Sequence, residues 1–552
     1  MNTQRLIISV ATLALALILF AGPGQCGGLR KPSYDILIKG GLVYDGGTGK
    51  PVVEDIGIKG DRITAVGKKL AGTAVRTIDA TGMVVTPGFI DCHNHTDLPI
   101  LMAMVATGDT NDRSMLTTFW REDRNYASQG VTTMVTGLCG GGMPGTRQWL
   151  GLLNAEGFGA NVYHLVPYGI LRYKLFGDDQ KTELSAAQLD TLKAWVAREM
   201  EQGALGVSVG LEYAPDCFTT TGELVEIAKV VRENGGIFDA HIRDQTGIAG
   251  KNGRPGELNA IEEAIEIGKR SGVPVHISHI QLNLPSSGVT AEQMAGLIEQ
   301  ARAGGLDITA DQHPYDAGYA ILSYRLPAEF KTGQGINPRY KTPEGKARMQ
   351  QATREIYTYL GPERISLTSG PEQYRNRTVA EIAEAEGKDP VQAYVDLCCL
   401  EPAPFALFKE INDTVNRALM GRPWVFTASD GFALFEPGQS PHPRFFGCFP
   451  RKLKTCALDQ NLLTLQAAIR SMTSLPARKF NLAGRGEIKP GYYADIAVIN
   501  LDSLRENATY AERSLFSDGV AYLVVNGVVS IDQGAFTGQR SGRACVMERA
   551  KH

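Results

Sequence analysis

Apolar and polar residues alternate at both ends of this chain and stop alternating in its middle. Across residues 34–79 the period is two: Asp35-Ile36-Leu37-Ile38-Lys39 runs into Gly40-Gly41, and Asp55-Ile56-Gly57-Ile58-Lys59 runs into Gly60-Asp61. Side chains two apart share one face of a strand, so these runs predict short, half-buried strands separated by glycine turns. Residues 494–501 and 520–529 read the same way. Two strand-rich pieces at opposite ends can form one small β-sandwich when the termini lie close together. Their predicted extents are residues 33–88 and 485–545.

The middle has a different rhythm. Short apolar runs at residues 131–136, 206–209, 237–240, 273–277 and 425–427 predict strands. Residues 187–202, 221–234 and 257–271 carry apolar positions at helical spacing. Strand–helix alternation over residues 89–484 predicts an α/β fold, a TIM-like (β/α)8 barrel. The segment 317–360 breaks the rhythm with turn residues and one charged helix, and predicts an insertion over the barrel mouth.

Composition changes this picture little, except at the N-terminus. A net charge of -3 on 552 residues gives no basic surface for nucleic acid. Residues 6–20 are almost wholly apolar, follow Arg5, and precede Ala21-Gly22-Pro23-Gly24. This predicts a signal peptide over residues 1–25 and an exported, periplasmic or extracellular protein. The run is shorter than the roughly 20 residues of a spanning helix, so no stable membrane span is expected in the mature chain. A membrane anchor, or a lipid on Cys26, is the weaker alternative, since Gln25 poorly precedes a lipidated Cys. Export would allow Cys398, Cys399, Cys448, Cys456 and Cys545 to pair.

The candidate chemistry lies where such barrels keep it, at the C-terminal ends of strands. Asp91-Cys92-His93-Asn94-His95-Thr96-Asp97 follows an apolar run, and His93 and His95 present two imidazoles to one side. Cys139 follows Val135-Thr136-Gly137-Leu138, His241 follows Phe238-Asp239-Ala240, and His279 follows Ile277-Ser278. Asp430 follows Ala428-Ser429. Alone, Cys139 reads as a small buried hydrophobe, His279 as a core histidine and Asp430 as a helix cap. Together they form a set of thiolate, imidazole and carboxylate groups suited to zinc. His276 lies three residues before His279, which on a strand points it to the opposite side.

With these motifs in view the chain resembles the amidohydrolase superfamily, and within it the D-aminoacylase (N-acyl-D-amino-acid deacylase) family. The likeness covers nearly all of the mature chain. It rests on the His-x-His run, Cys139-Gly140, Tyr213 with Pro215, Ala240-His241-Ile242-Arg243, Pro314-Tyr315, Ser429-Asp430-Gly431 and His442-Pro443-Arg444. Cys139 is the specific element, standing where most binuclear relatives use a carboxylated lysine. The resemblance implies one tightly bound zinc on Cys139, His241 and His279. It implies a second position, weaker or absent, between His93, His95 and Asp430. It makes Asp430 the general base and gives the α-carboxylate of an N-acyl amino acid or short peptide to Arg444 and Tyr315, with Tyr213 also lining the substrate. Two positions depart from the family pattern: Gln281 replaces a common lysine, and His313 replaces the first tyrosine of a Tyr-Pro-Tyr run. Both favour a dipeptide-like or otherwise modified substrate.

The implied activity is zinc-dependent hydrolysis of the linear amide of N-acyl-D-amino acids or related D-configured peptides. Two other readings stand beside it. Cys139 weighs against a cyclic-amide hydrolase of the hydantoinase or dihydroorotase kind. The complete ligand set weighs against a catalytically inactive binding barrel. If residues 1–25 are a signal, N-terminal sequencing of the protein from its native host finds no trace of residues 6–20; an intact Met1 in the membrane fraction is the opposite result.

Overall fold

The structure, a computed structural model, describes residues 33–109, 112–177, 183–250, 252–332 and 335–547. The proposed signal segment and Cys26 lie outside them. No helix among the described residues is long and apolar enough to cross a membrane.

Eight parallel strands form the barrel. In chain order they are Phe89–Asp91, Val131–Thr136, Asn161–His164 continued by Val166–Pro167, Gly206–Gly210, Ile237–His241, Val275–Ile277, Ile308–Gln312 and Val425–Thr427. The third strand is broken. Its first piece pairs with the second strand and its second piece with the fourth, which carries the sheet across two arcs. Closure between the eighth and first strands uses loop backbone and one carboxylate. Asp430 N donates to the His93 carbonyl at 3.0 Å, His95 N to the Gly431 carbonyl at 2.7 Å, and Ser429 N to Asp91 Oδ1 at 2.9 Å. Asp91 is therefore a barrel staple, although it belongs to the most conspicuous motif of the sequence.

Helices Ala186–Glu201, Thr221–Glu233, Gly256–Ser271 and Ala291–Ala303 pack apolar stripes on the barrel. Their starts are chemically set. Ser185 and Thr290 form capping boxes with Gln188 and Gln293, and Thr220 caps the backbone of Glu223.

The two chain ends share one nine-stranded sheet. Ile496–Ile499 runs antiparallel to Val84–Pro87, which joins the N-terminal strands to the C-terminal ones. Ile38, Ile56, Ile58, Val85, Ile496 and Val524 make its apolar core.

The excursion after the seventh strand is longer than the sequence pattern predicts. Its closing strand, Phe405–Phe408, pairs with both Gly318–Ile321 and Ile365–Leu367, so it ends near residue 408 and not 360. Non-local pairing of this kind leaves no mark on local periodicity. The insertion has its own core, including Leu322, Phe330, Met349, Leu367 and Phe408, and Tyr213 of the barrel packs against it.

The eight described cysteines are all free. The pairings that export would allow do not form among them. Cys398 sits in the insertion core, and the Cys448 thiol donates to the Ala428 carbonyl at 3.1 Å.

Gly210, at the end of the fourth strand, lets that strand touch the loop carrying Cys139. A Cβ there would stand 2.2 Å from the Cys139 carbonyl oxygen. Gly210→Ala is expected to cost about 1–3 kcal/mol in urea unfolding, the scale of overpacking. An unchanged midpoint would mean the two loops are not held together.

Candidate active site

The site assembles where the strands end. Cys139, His279 and Asp430 each follow a barrel strand by two or three residues, and each has positive φ, at 52°, 32° and 50°. Non-glycine residues rarely adopt this conformation, and it persists where surrounding structure enforces it. Around Cys139 that structure includes Asp97, whose carboxylate accepts from the Met143 amide at 2.9 Å and anchors the glycine-rich loop. The four charged or basic groups of the 91–97 run thus divide. Two histidines enter the site, and two aspartates hold the frame.

Cys139 Sγ lies 3.3 Å from His93 Nε2 and 3.5 Å from His279 Nε2, and the three atoms form one cluster within 4.8 Å. A second cluster of the same tightness joins His93, His95 and Asp430. His95 Nε2 is 3.3 Å and His93 Nε2 3.6 Å from Asp430 Oδ1. His93 therefore belongs to both clusters, not only to the second, as the resemblance has it. The His241 ring meets the His279 ring edge-on at 4.4 Å. Its Nε2 donates to Glu212 Oε2 at 3.1 Å, and its buried Nδ1 has no hydrogen-bond partner among the described residues.

These donors fit a zinc ion. A thiolate and imidazoles are the preferred ligands, and histidine ligands are oriented by carboxylates or amides on their far nitrogen. His93 Nδ1 donates to Asp311 Oδ2 at 3.3 Å, His241 Nε2 to Glu212, and His279 Nδ1 contacts the Gln245 amide at 3.1 Å. His93 and His279 turn their other nitrogen into the cluster, and His241 stands beside it with its Nδ1 open.

Electrostatics agree with that fit. Burial alone would push the Cys139 thiol up, but the charge on His93 and the imidazoles of His241 and His279 carry it well below its ordinary range. Burial would likewise push Asp430 up, and Arg444, with His95, holds its carboxyl well down. Arg444 Nη2 is 3.0 Å from Asp430 Oδ2, and its Nη1 donates to His313 Nε2 at 3.1 Å. Arg444 is 1% exposed, the first residue of helix Arg444–Arg451 and not a surface arginine. Burial, then Arg444, pushes His313 down to about 3, so it stays neutral.

Other expected residues sit differently. Tyr213 stands at the cluster edge, its ring 4.7 Å from that of His241. The Tyr315 hydroxyl donates to Glu506 at 2.7 Å, so it is committed away from Arg444. Gln281 lies behind the site, donating to Gln245 Oε1 at 3.3 Å and so backing His279 through an amide pair. His276 points inward, not to the opposite side: its Nε2 donates to Asp311 Oδ2 at 3.0 Å. The sixth strand ends at Ile277, so alternation no longer relates His276 to His279. Cys92, His276 and Asp311 also cluster, but both His276 nitrogens are satisfied, by Asp311 and by Thr309 at 2.8 Å, which marks barrel packing.

Sequence reasoning missed Asp311, Glu212 and Gln245. Asp311 lies on the seventh strand, whose alternating Ile308-Thr309-Ala310-Asp311 was the available signal. Glu212 adjoins Tyr213 at the end of the fourth strand, and nothing in its spacing pairs it with His241.

Residues 164–531 match the Amidohydrolase family. This chain belongs to the amidohydrolase family. The resemblance read from its motifs is thereby borne out. A D-aminoacylase of Alcaligenes xylosoxydans xylosoxydans is 31% identical over 536 residues, covering 92% of this chain and 97% of the relative. A solved D-aminoacylase, described for its binuclear metal centre with one-metal activation and second-metal attenuation, is 28% identical with a TM-score of 0.75. It covers 93% of this chain, which covers 99% of it. The N-acyl-D-glutamate deacylase of Bordetella bronchiseptica, solved with zinc and a phosphonate mimic of the tetrahedral intermediate, is 27% identical with a TM-score of 0.75. It covers 93% of this chain and is itself covered in full, at 100%.

Asp311 makes the site rigid, since one carboxylate accepts from His93, His276 and the His279 amide, the last at 2.8 Å. Asp311→Asn puts an NH2 group among donors. Urea unfolding should show a loss of about 3 kcal/mol or more, the scale of a broken buried ion pair. An unchanged midpoint would remove Asp311 from this role.

Proposed function

We propose that this chain is a zinc-dependent hydrolase that releases a D-amino acid from its N-acyl derivative or from a related D-configured peptide. One observation carries the reading. A thiolate–imidazole cluster abuts an ionised, arginine-held Asp430, in an amidohydrolase that aligns with a D-aminoacylase along nearly its whole length. Cys139, His241 and His279 are the residues that would hold the tight zinc, and the open Nδ1 of His241 supports this. His93, His95 and Asp430 would flank a second position. Zinc held at the tight site would supply water activation and polarisation of the scissile carbonyl.

The chain's own residues do the rest. Asp430 accepts the proton of the attacking water and delivers it to the amine nitrogen as the carbon–nitrogen bond breaks. The products are a carboxylic acid and a free amino acid, so the proton balance closes on Asp430. Arg444 keeps that carboxylate ionised between turnovers. It is also the proposed partner of the substrate carboxylate, through an Nε that has no partner among the described residues. Tyr213 lines the substrate side. Tyr315 and Gln281 serve the frame behind Arg444 and His279, and we assign neither a direct substrate contact.

Export completes the proposal. The apolar run at residues 6–20 and the small residues after it support a secreted location.

The test is a hydrolysis screen over N-acyl-D- and N-acyl-L-amino acids and dipeptides, with zinc supplied. Turnover should favour D-configured over L-configured substrates. Cys139→Ala should lose tight zinc and activity together. Asp430→Asn should keep the tight zinc while turnover drops by about 10²-fold or more, the scale of positioned acid–base catalysis. Wild-type turnover in the Asn form would show that Asp430 is not the base.

A further inference from the structure

The insertion does more than cover the barrel mouth. One of its side chains, Arg325, reaches the loop after the fourth barrel strand and lies between two acidic side chains, Glu212 and Glu410. Its Nε donates to Glu410 Oε2 at 2.8 Å and its Nη1 to Glu212 Oε1 at 3.3 Å. The three side chains are 6%, 1% and 12% exposed. Glu212 spends its other oxygen, Oε2, on His241 Nε2 at 3.1 Å. Lys331, also of the insertion, binds the Glu212 carbonyl at 3.1 Å and the Tyr324 carbonyl at 2.8 Å, so the backbone on both sides of the bridge is held as well. Tyr213 makes a parallel contact: it packs against the insertion core and meets the His241 ring edge-on at 4.7 Å. A histidine at the end of a barrel strand is thus oriented in part by groups that the insertion holds.

We propose that Arg325 is a positioning residue for the metal centre, through which docking of the insertion sets metal affinity. This rests on the reading of His241 as a zinc ligand. The physical argument has two steps. A carboxylate on the far nitrogen of a ligating histidine fixes the ring and its tautomer, and its loss commonly weakens metal binding 10–100-fold. That carboxylate is buried beside a second acidic side chain, Glu410, and Arg325 is the cation that bridges the two and holds Glu212 in place. Arginine is suited to this because its fork reaches two carboxylates at once, which a lysine point charge does not. Linkage makes the effect reciprocal: if the docked insertion tightens zinc, zinc tightens the docked insertion.

The experiment measures zinc affinity of the full chain by competition with a chromogenic chelator. The proteins compared are wild type, Arg325→Lys, Glu212→Gln, the double variant and Cys139→Ala. Thermal melting of the zinc-free forms confirms that each is folded. Arg325→Lys and Glu212→Gln should each weaken zinc about 10-fold or more. The double variant should be no weaker than the worse single one, because both act on the same histidine. Zinc should slow hydrogen exchange of residues 318–332 in wild type and lose that effect in Arg325→Lys. A purely structural arginine would lower the melting temperature and leave affinity and the zinc-dependent exchange untouched, which overturns the proposal. Additive losses in the double variant overturn it too. If Cys139→Ala itself keeps wild-type zinc affinity, the metal reading fails first, and the two failures are told apart.

Discussion

One buried carboxylate organises the barrel beneath the site. Asp311 accepts hydrogen bonds from His93, from His276 and from the backbone of His279, so it ties the first, sixth and seventh strands at one point. Its neighbour Asp239 is pushed up to about 8, chiefly by burial, and is a neutral acid at pH 7. Asp311 is the opposite case. Burial would raise it, but His93 and His276 hold it well below the ordinary carboxylate range. The interior therefore carries a negative charge at this defined place, and that charge fixes which His93 nitrogen turns toward it. Nδ1 donates downward, and Nε2 is left facing Cys139. The metal-binding face is set from below.

The same logic recurs above it. Asp430 is paired with Arg444, Glu212 with Arg325, and Cys139 is stabilised as a thiolate by surrounding imidazoles. Buried charges contribute little net stability, because desolvation offsets their attraction, but removing one partner is costly. Such pairs are poor means of stabilising a fold and good means of holding a side chain in one place. Three of the groups they hold follow strands in left-handed conformations. Strand ends, positive φ and paired charge occur together, as expected where a scaffold enforces local strain for chemistry.

The insertion adds a layer that barrel geometry alone lacks. It has its own core and sheet, yet its contacts with the catalytic face run through Arg325, Lys331 and Tyr213 to Glu212 and His241. A centre supplied by the barrel is thus finished by a segment that folds around a separate set of apolar residues.

Much of this was legible in the sequence, because local chemistry has local signatures. Period-two and helical spacing marked the strands at both chain ends and three of the barrel helices. Short apolar runs ending in His93, Cys139, His241, His279 and Asp430 marked the catalytic face, since a strand end fixes where a side chain emerges. The broken third strand and the seventh strand escaped, one for its shortness and the other for the polar Asp311 and Gln312 that interrupt an apolar run. The pairings Asp311 with His93, Glu212 with His241 and Arg325 with Glu212 had no signature at all. These partners stand 218, 29 and 113 residues apart, and only barrel closure and docking of the insertion bring them within hydrogen-bond reach. By itself the sequence determined which groups could bind a metal and on which face. The tertiary structure decided which nitrogen of each imidazole faces that metal and which carboxylate keeps it there, because those choices depend on contacts that do not exist until the strands close.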